Sequence, residues 1–384
     1  MQIKNPRKIL IYAKELDGGT ERFIENINSL IKHSPHQTSE VVVNKTSDRQ
    51  RVKVTLIGFK TDGYPVAIKS LFTFMNFFCL LSYVIRFSPD IIFSIELHAN
   101  ILSLLVKMIY KKPYLIISTH TNLDYQISTN QSNFISYLLK KSIVYLYNKA
   151  DAHFTPSLEL KNFLVKKYHL FGGKFKVIPY PTNIKQIKKY SKEAIVNSKI
   201  RTELKNKKLL KIVTMGRFEK QKSFENEIIA LSLISKKIKN IKLYLIGDGA
   251  LRKQYVETIR RLNLKKYVTL IHWQRNPYKF MKYANVFVLT SKFEGFPHVL
   301  IEALSLNIPV ISSDVDFGPR EILENGEYGI LLDDNSPEEI ARRIIHLLSK
   351  KHLYRKYKYK SKTRALFFKD EHIDKAYEGL LLIQ

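Results

Sequence analysis

Two acidic residues with seven residues between them, Glu294 and Glu302 in NVFVLTSKFEGFPHVLIE, mark where chemistry can concentrate. Residues 285–290 form a run of β-branched and apolar side chains that predicts a buried strand. SKFEG follows as a tight loop, and Pro297 opens a predicted helix that runs through IEALS. Proline suits a first helical turn because its missing N–H would have had no partner there. Strand, glycine-bearing loop and helix N-terminus together make an anion site, with free amides and the helix dipole aimed at one spot. A carboxylate facing a phosphate would repel it. The role open to each glutamate is therefore to hold neutral hydroxyls beside the phosphate, such as those of a sugar or a ribose. The competing account makes Glu294 a solvated loop residue and Glu302 a helix-face charge, and these residues alone leave both accounts open.

Cations that could neutralise a diphosphate lie in MGRFEKQKS, just past a predicted strand. Arg217 would act through its planar fork and Lys222 as a point charge. In a chain with 64 basic residues, proximity alone says little, and position after a strand end carries the inference. Gly18 and Gly19 end the first predicted strand and start a helix, where a ligand could approach the backbone closely or where the chain simply turns. Their spacing is not GxGxxG, which disfavours a nicotinamide dinucleotide. Asp248, between two glycines in LIGDGALR, marks another strand-to-helix turn that either only turns or lines the nucleotide. Trp273 in WQRNP either packs or flanks a base. His120 closes the PYLIISTH strand, and His98 in IELHAN is a second histidine candidate. Asp314 and Asp316 invite a divalent ion, but no other hard-oxygen ligands cluster near them in sequence, so no metal is expected.

The elements that must position these residues alternate. Strands are predicted at 8–13, 40–43, 53–57, 90–95, 113–119, 151–156 and 175–179, with helical patterns at 20–32, 99–110 and 134–149. Residues 184–208 are polar and lysine-rich and predict a hinge plus a short helix. Strands then resume at 209–215, 241–246, 267–271, 285–290, 308–313 and 329–332. Strand–helix alternation implies right-handed crossovers and parallel sheets. The fold class is α/β, as two Rossmann-like parallel-sheet domains facing a cleft, with strand carboxyl ends toward the ligand. The expected division is 1–185, 186–365, and a tail helix, 366–384, packing back toward the first domain.

Composition narrows the setting. The chain has 384 residues, 45% of them hydrophobic, enough for two cores. A single cysteine, Cys79, excludes an intramolecular disulfide and fits a reducing compartment. The first seven residues lead into a strand without a basic-then-apolar leader. The longest apolar run, 71–87, is interrupted by Thr73, Asn76, Ser82 and Arg86, and falls short of the about 20 apolar residues of a bilayer span. A formal charge of +30 suits nucleic acid, an anionic membrane face or phosphorylated substrates. No dense arginine–aromatic stripe resembling a nucleic-acid reader is present.

Taken in order, GRFEKQK, IGDG, WQRNPY, EGFPHVLIEA and SDVDFGPREIL, with GGTER at 18–22, resemble retaining glycosyltransferases of the GT-B fold in the large GT4 family. The resemblance covers nearly the whole chain and is strongest over 211–332. It implies a nucleotide-sugar donor, most often a UDP-sugar, held mainly by the second domain. By that resemblance Arg217 and Lys222 grip the donor diphosphate, Glu302 the ribose hydroxyls and Glu294 the donor sugar. Gly18, Gly19 and Asp248 would join the donor site, as would the stretch Gly295, Phe296, Pro297, His298, Val299 and Leu300. His120 would meet the sugar near the reacting centre. No cofactor and no metal is implied, and the Asp314–Asp316 pair is not the metal site of the other glycosyltransferase fold.

The implied activity is transfer of a hexosyl or N-acetylhexosaminyl group to a glycan or lipid-linked acceptor in surface-polysaccharide or glycolipid synthesis. The implied place of work is the cytoplasm, at the inner face of an anionic plasma membrane. A sugar-nucleotide epimerase of the same architecture and a basic nucleic-acid-binding α/β protein are the competing functions. The first should lack the paired Arg217–Lys222 and Glu294–Glu302 spacings.

Overall fold

The computed structural model of the chain describes residues 7–15, 18–33, 37–45, 54–59, 66–128, 133–180 and 182–381. The expectation of no leader falls on residues 1–6, outside the described residues, as does residue 53, the first of the strand predicted at 53–57; the rest of that prediction contains a two-residue strand, Thr55–Leu56. The chain divides into two units, Met1–Tyr180 with Ile373–Gln384, and Pro181–His372.

The first unit holds strands β1 (Arg7–Glu15), β2 (Gln37–Lys45), β3 (Thr55–Leu56), β4 (Ile91–Ile95), β5 (Tyr114–Ser118), β6 (Ala152–Thr155) and β7 (Phe175–Val177). They form one sheet in the order β3-β2-β1-β4-β5-β6-β7. Neighbouring strands pair in parallel, with Ile11 opposite Val41 on one side and Phe93 on the other. Helices such as Gly18–His33 and Leu97–Ile109 connect the strands. Helices covering both faces explain why β1 and β4 are nearly continuous apolar runs rather than alternating ones. The order reverses between β1 and β4, where open α/β sheets take ligands. Ile373, Tyr377 and Leu380 of the helix Asp370–Leu381 are buried in this unit. Tyr377 packs against Phe154 and Phe23, with its hydroxyl on the Pro179 carbonyl.

The second unit holds β8 (Leu210–Met215), β9 (Ile241–Ile246), β10 (Val268–Ile271), β11 (Val286–Leu289), β12 (Val310–Ser313) and β13 (Ile330–Leu332). The sheet order β10-β9-β8-β11-β12-β13 is the Rossmann order, with its reversal between β8 and β11. All four residues of β11 are fully buried. Each such Val, Leu or Phe contributes about 1.5–3 kcal/mol by leaving water. The predicted strand at 308–313 starts later, at Val310, because Pro309 has no N–H to give the ladder. Residues 184–208 form two helices rather than one, Ile184–Ser191 and Ser198–Lys205. Each starts at an asparagine, Asn183 or Asn197, whose side chain accepts the amide three residues on. Among the described residues no helix is long and apolar enough to cross a membrane.

Candidate active site

The reversal point of the second sheet brings two loops together. One follows β8 through Gly216 and Arg217 to a single 3-10 turn, Lys220–Lys222, and then the helix Phe224–Lys237. The other follows β11 through Thr290 and Ser291 to the helix His298–Ser305. Main-chain and side-chain bonds tie them: Lys292 N donates to Gln221 O at 2.8 Å, Gln221 Nε2 to Phe293 O at 2.9 Å, and Thr290 Oγ1 to Lys222 O at 3.0 Å. Gly216 leaves room for the lysine stem. A Cβ there would stand 3.3 Å from Lys222 Cε and 3.2 Å from the Phe224 ring.

Lys222 and Glu294 form an ion pair at 2.6 Å, with side chains only 15% and 8% exposed. Ser291 Oγ donates to the same carboxylate oxygen. Arg217 stands apart at 57% exposed, its Nε 3.6 Å from Glu219 Oε1. Glu302, buried in the helix His298–Ser305, accepts a 2.8 Å hydrogen bond from the Tyr278 hydroxyl at Oε1. Pro297 takes extended backbone angles and is the residue before that helix rather than its first turn. Having no side-chain acceptor, it leaves the helix start uncapped by its own side chain. Gly295 and Pro297 are buried, and His298 and Val299 half-buried. Phe296 meets Phe368 edge-to-face at 6.2 Å. Leu300 has its side chain in the core and its amide on Pro297 O. Gly318 (φ +88°) packs the next loop onto this one, where a Cβ would lie 2.7 Å from Gly295 O.

Asp248 acts as a brace between the ends of β9 and β10. It takes Arg252 Nη1 and His272 Nδ1, each at 2.9 Å, and the Trp273 amide at 2.7 Å. Burial pushes its carboxyl up, but the Trp273 amide, His272 and Arg252 outweigh that and hold it below the usual range. Asp314 accepts a two-pronged bond from Arg320. Among the described residues no three His, Cys, Asp or Glu side chains group as a metal site.

In the first unit, Gly18 and Gly19 begin the helix that follows β1. Thr20 Oγ1 donates to Glu96 Oε1 at 3.1 Å across the reversal point of that sheet. Glu96 sits at φ 72°, ψ 167°, a conformation close to glycine-only. His98 lies in the first turn of the helix Leu97–Ile109, half-buried. His120 follows β5 and is buried among Phe23, Phe154 and Tyr180. Ser118 Oγ donates to Ser94 O at 2.9 Å, so it accepts from His120 Nε2 at 2.8 Å. Nδ1 is then the acceptor for the Tyr180 hydroxyl. Burial drives the imidazole down to about 3, so it stays neutral at neutral pH. With both nitrogens engaged it is built to be oriented, not to shuttle a proton.

The structure thus joins Lys222 to Glu294 and sets Glu302 on the adjoining helix. Ser291, Thr290 and Gln221 complete the same loops, Tyr278 reaches Glu302 from the short helix Tyr278–Met281, and none of the four was legible as a site residue. Tyr278, directly after WQRNP, had a signal in its position. Glu96 had none, because a strained φ leaves no mark in sequence.

A glycosyl transferases group 1 family model matches residues 196–364, and a Glycosyltransferase Family 4 model matches residues 17–186. An uncharacterized glycosyltransferase of Methanocaldococcus jannaschii is 30% identical over 318 residues, spanning 78% of this chain and 76% of its own length. The N-acetylgalactosamine-N,N'-diacetylbacillosaminyl-diphospho-undecaprenol 4-alpha-N-acetylgalactosaminyltransferase of Campylobacter jejuni is 29% identical over 269 residues, 70% of each chain. Among solved structures, Anabaena HepE in complex with UDP-glucose shares the fold, with a TM-score of 0.78 at 18% identity over 97% of this chain and 99% of that one.

Proposed function

From the premise that this chain belongs to the group 1, GT4-type glycosyltransferases of GT-B architecture, we propose that it moves a hexosyl or N-acetylhexosaminyl group from a UDP-sugar to a lipid-linked or surface-glycan acceptor, with retention. The observation that carries this reading is the Lys222–Glu294 pair at the reversal point of the second sheet, with Arg217 on the first of the two loops and Glu302 on the helix that follows the second.

Transfer breaks the anomeric C–O bond to a diphosphate. Negative charge grows on the leaving phosphate while the sugar becomes cationic. Arg217, Lys222 and the amides at the start of the helix His298–Ser305 stabilise the departing charge, each in place before the reaction begins. Glu302 holds ribose hydroxyls and Glu294 those of the donor sugar, while Gly18 and Gly19 allow close backbone approach. Retention follows from same-face attack, in which the leaving phosphate accepts the acceptor's proton, so no covalent nucleophile is needed. His120, neutral and fully hydrogen-bonded, orients its surroundings and moves no proton. No metal enters this scheme.

A lipid-linked acceptor is supported by the Campylobacter relative, whose name places it on a diphospho-undecaprenol acceptor and specifies an alpha linkage. UDP is supported by the nucleotide in the Anabaena structure. The reading is tested by screening UDP- and GDP-sugars for hydrolysis and for protection against thermal unfolding. UDP at 100-fold over its Kd should add about 2.7 kcal/mol of stability. Stabilisation by RNA or DNA in place of UDP would remove the assignment.

A further inference from the structure

Beneath the Lys222 turn lies a carboxyl for which the transfer chemistry has no use. Glu227, near the start of the helix Phe224–Lys237, is 3% exposed. Its Oε1 is 2.8 Å from Thr290 Oγ1. The same hydroxyl is 3.0 Å from the Lys222 carbonyl oxygen and 3.5 Å from that of Ser223. A threonine hydroxyl has one hydrogen to give, and a carbonyl oxygen has none. The two short contacts are each a full hydrogen bond in only one arrangement: Thr290 donates to Lys222 O, and Glu227 donates its own proton to Thr290 Oγ1. Were Glu227 ionised, it would claim the threonine hydrogen, and the Lys222 carbonyl would face an oxygen lone pair. A buried negative charge would then have its second oxygen, Oε2, without a hydrogen-bond partner.

We propose that Glu227 carries a proton at neutral pH and serves, through Thr290, as a positioning residue that fixes the main chain of Lys222 and so the aim of its ammonium group. The proposal rests on the reading of Lys222 as a phosphate ligand. The turn needs such a brace. Ser223 sits at φ 49°, a left-handed conformation a serine keeps only when held, and its side chain does not cap the helix it precedes.

The surroundings agree. Burial pushes the carboxyl up to about 8, against the smaller pull of the Thr290 and Thr214 hydroxyls. Thr214, from β8, faces the group without making a hydrogen bond. Tyr255, from the helix Arg252–Arg261, is held protonated by its own burial. Lys222 directs its Nζ to Glu294. On the helix Pro337–Ser349, which packs along the same face, Glu339 is tied to Arg342 and Arg343.

The test compares wild type with Glu227→Gln, whose amide N–H₂ is a permanent donor to Thr290, and with Glu227→Leu, which has none. Infrared difference spectra at neutral pH should show a protonated carboxyl band in wild type that Glu227→Gln removes. Hydrogen–deuterium exchange over 216–228, corrected for intrinsic rate, should accelerate above pH 8 in wild type and stay level in Glu227→Gln. UDP, its terminal phosphate fully ionised above about pH 7, should lose about fivefold to tenfold in affinity over the same rise, the size of one lost hydrogen bond. Glu227→Gln should hold its affinity across that range, and Glu227→Leu should show the loss already at pH 7. A Glu227 ionised at neutral pH, or an alkaline dependence unchanged in Glu227→Gln, overturns the proposal. UDP that binds at no pH sinks the nucleotide reading instead, while exchange over the turn still decides the role of Glu227.

Discussion

Lys222 Nζ lies 2.6 Å from Glu294 Oε1, joining two loops whose residues are 72 positions apart. The two charges therefore balance one another across the loops. In the proposed reading, a nucleotide-sugar exchanges this pair for two others, phosphate taking the ammonium and sugar hydroxyls taking the carboxylate. The pair gives a mostly buried cation and a buried anion each a partner of opposite charge.

Lys222→Ala should lower transfer by at least about a hundredfold, since one lost transition-state donor costs about 2.7–4 kcal/mol. It should also lower the melting temperature, because stranding a buried partner such as Glu294 costs about 3–5 kcal/mol. Adding Glu294→Gln should restore much of the stability and none of the turnover. Arg217→Ala should lose as much turnover, yet melt within about 0.5 kcal/mol of wild type, because Arg217 is largely exposed. Steady-state rates and thermal melts of the three variants check this, and near wild-type turnover in Lys222→Ala or Arg217→Ala would refute the assigned roles.

Transfer should survive EDTA. The growing phosphate charge is assigned to Arg217, Lys222 and helix amides, and Asp314 is engaged with Arg320. Loss of activity on chelation, restored by Mg²⁺, would return Asp314 and Asp316 to the site.

Acid should weaken the first unit through its buried histidines. His120 is lowered to about 3 and His153 to about 4, both by burial first. Between the ordinary value near 6.5 and these lowered values, the unfolded chain takes up protons that the folded protein refuses. This contribution to stability is complete above about pH 6.5 and is lost as pH falls toward 4, by up to about 1.4 kcal/mol per pH unit for each histidine. His120→Gln should roughly halve the slope of denaturation midpoint against pH over that window. An unchanged slope would mean that His120 titrates normally.

The helix Val66–Phe87 exposes Leu71, Phe74, Phe78 and Ile85, while Tyr137, Lys140, Lys141 and Tyr145 are exposed on the helix Asn133–Tyr147. Apolar rings beside lysines suit insertion at an anionic surface. The protein should float with anionic liposomes and not with neutral ones, and Phe74→Ser with Phe78→Ser should abolish flotation. Equal behaviour with both lipids would remove membrane association from the reading.

Much of the architecture was legible because parallel strands covered on both faces spell themselves as apolar runs. IIFSI and VFVL became β4 and β11 nearly as written. What stayed hidden depends on strand order. β8 and β11 are neighbours in the sheet but not in the chain, so nothing in sequence couples Lys222 to Glu294 or Thr290 to Lys222. Glu227 resembled any helix-face charge until a threonine 63 positions later was found against it. Asp248 could be read as part of a turn, but not as the acceptor for three donors. His120 stood at its strand end as the pattern required, while the Tyr180 that saturates it lies 60 residues on.

Tyr377 closes the aromatic core of the first unit only after the whole second unit has left the ribosome. At about 5–20 residues per second, roughly 190 intervening residues delay it by roughly 10–40 s. During that wait Phe154 and Phe23 lack a lid, so a nascent chain stalled before Ile373 offers chaperones and proteases an aromatic surface that the finished protein never shows.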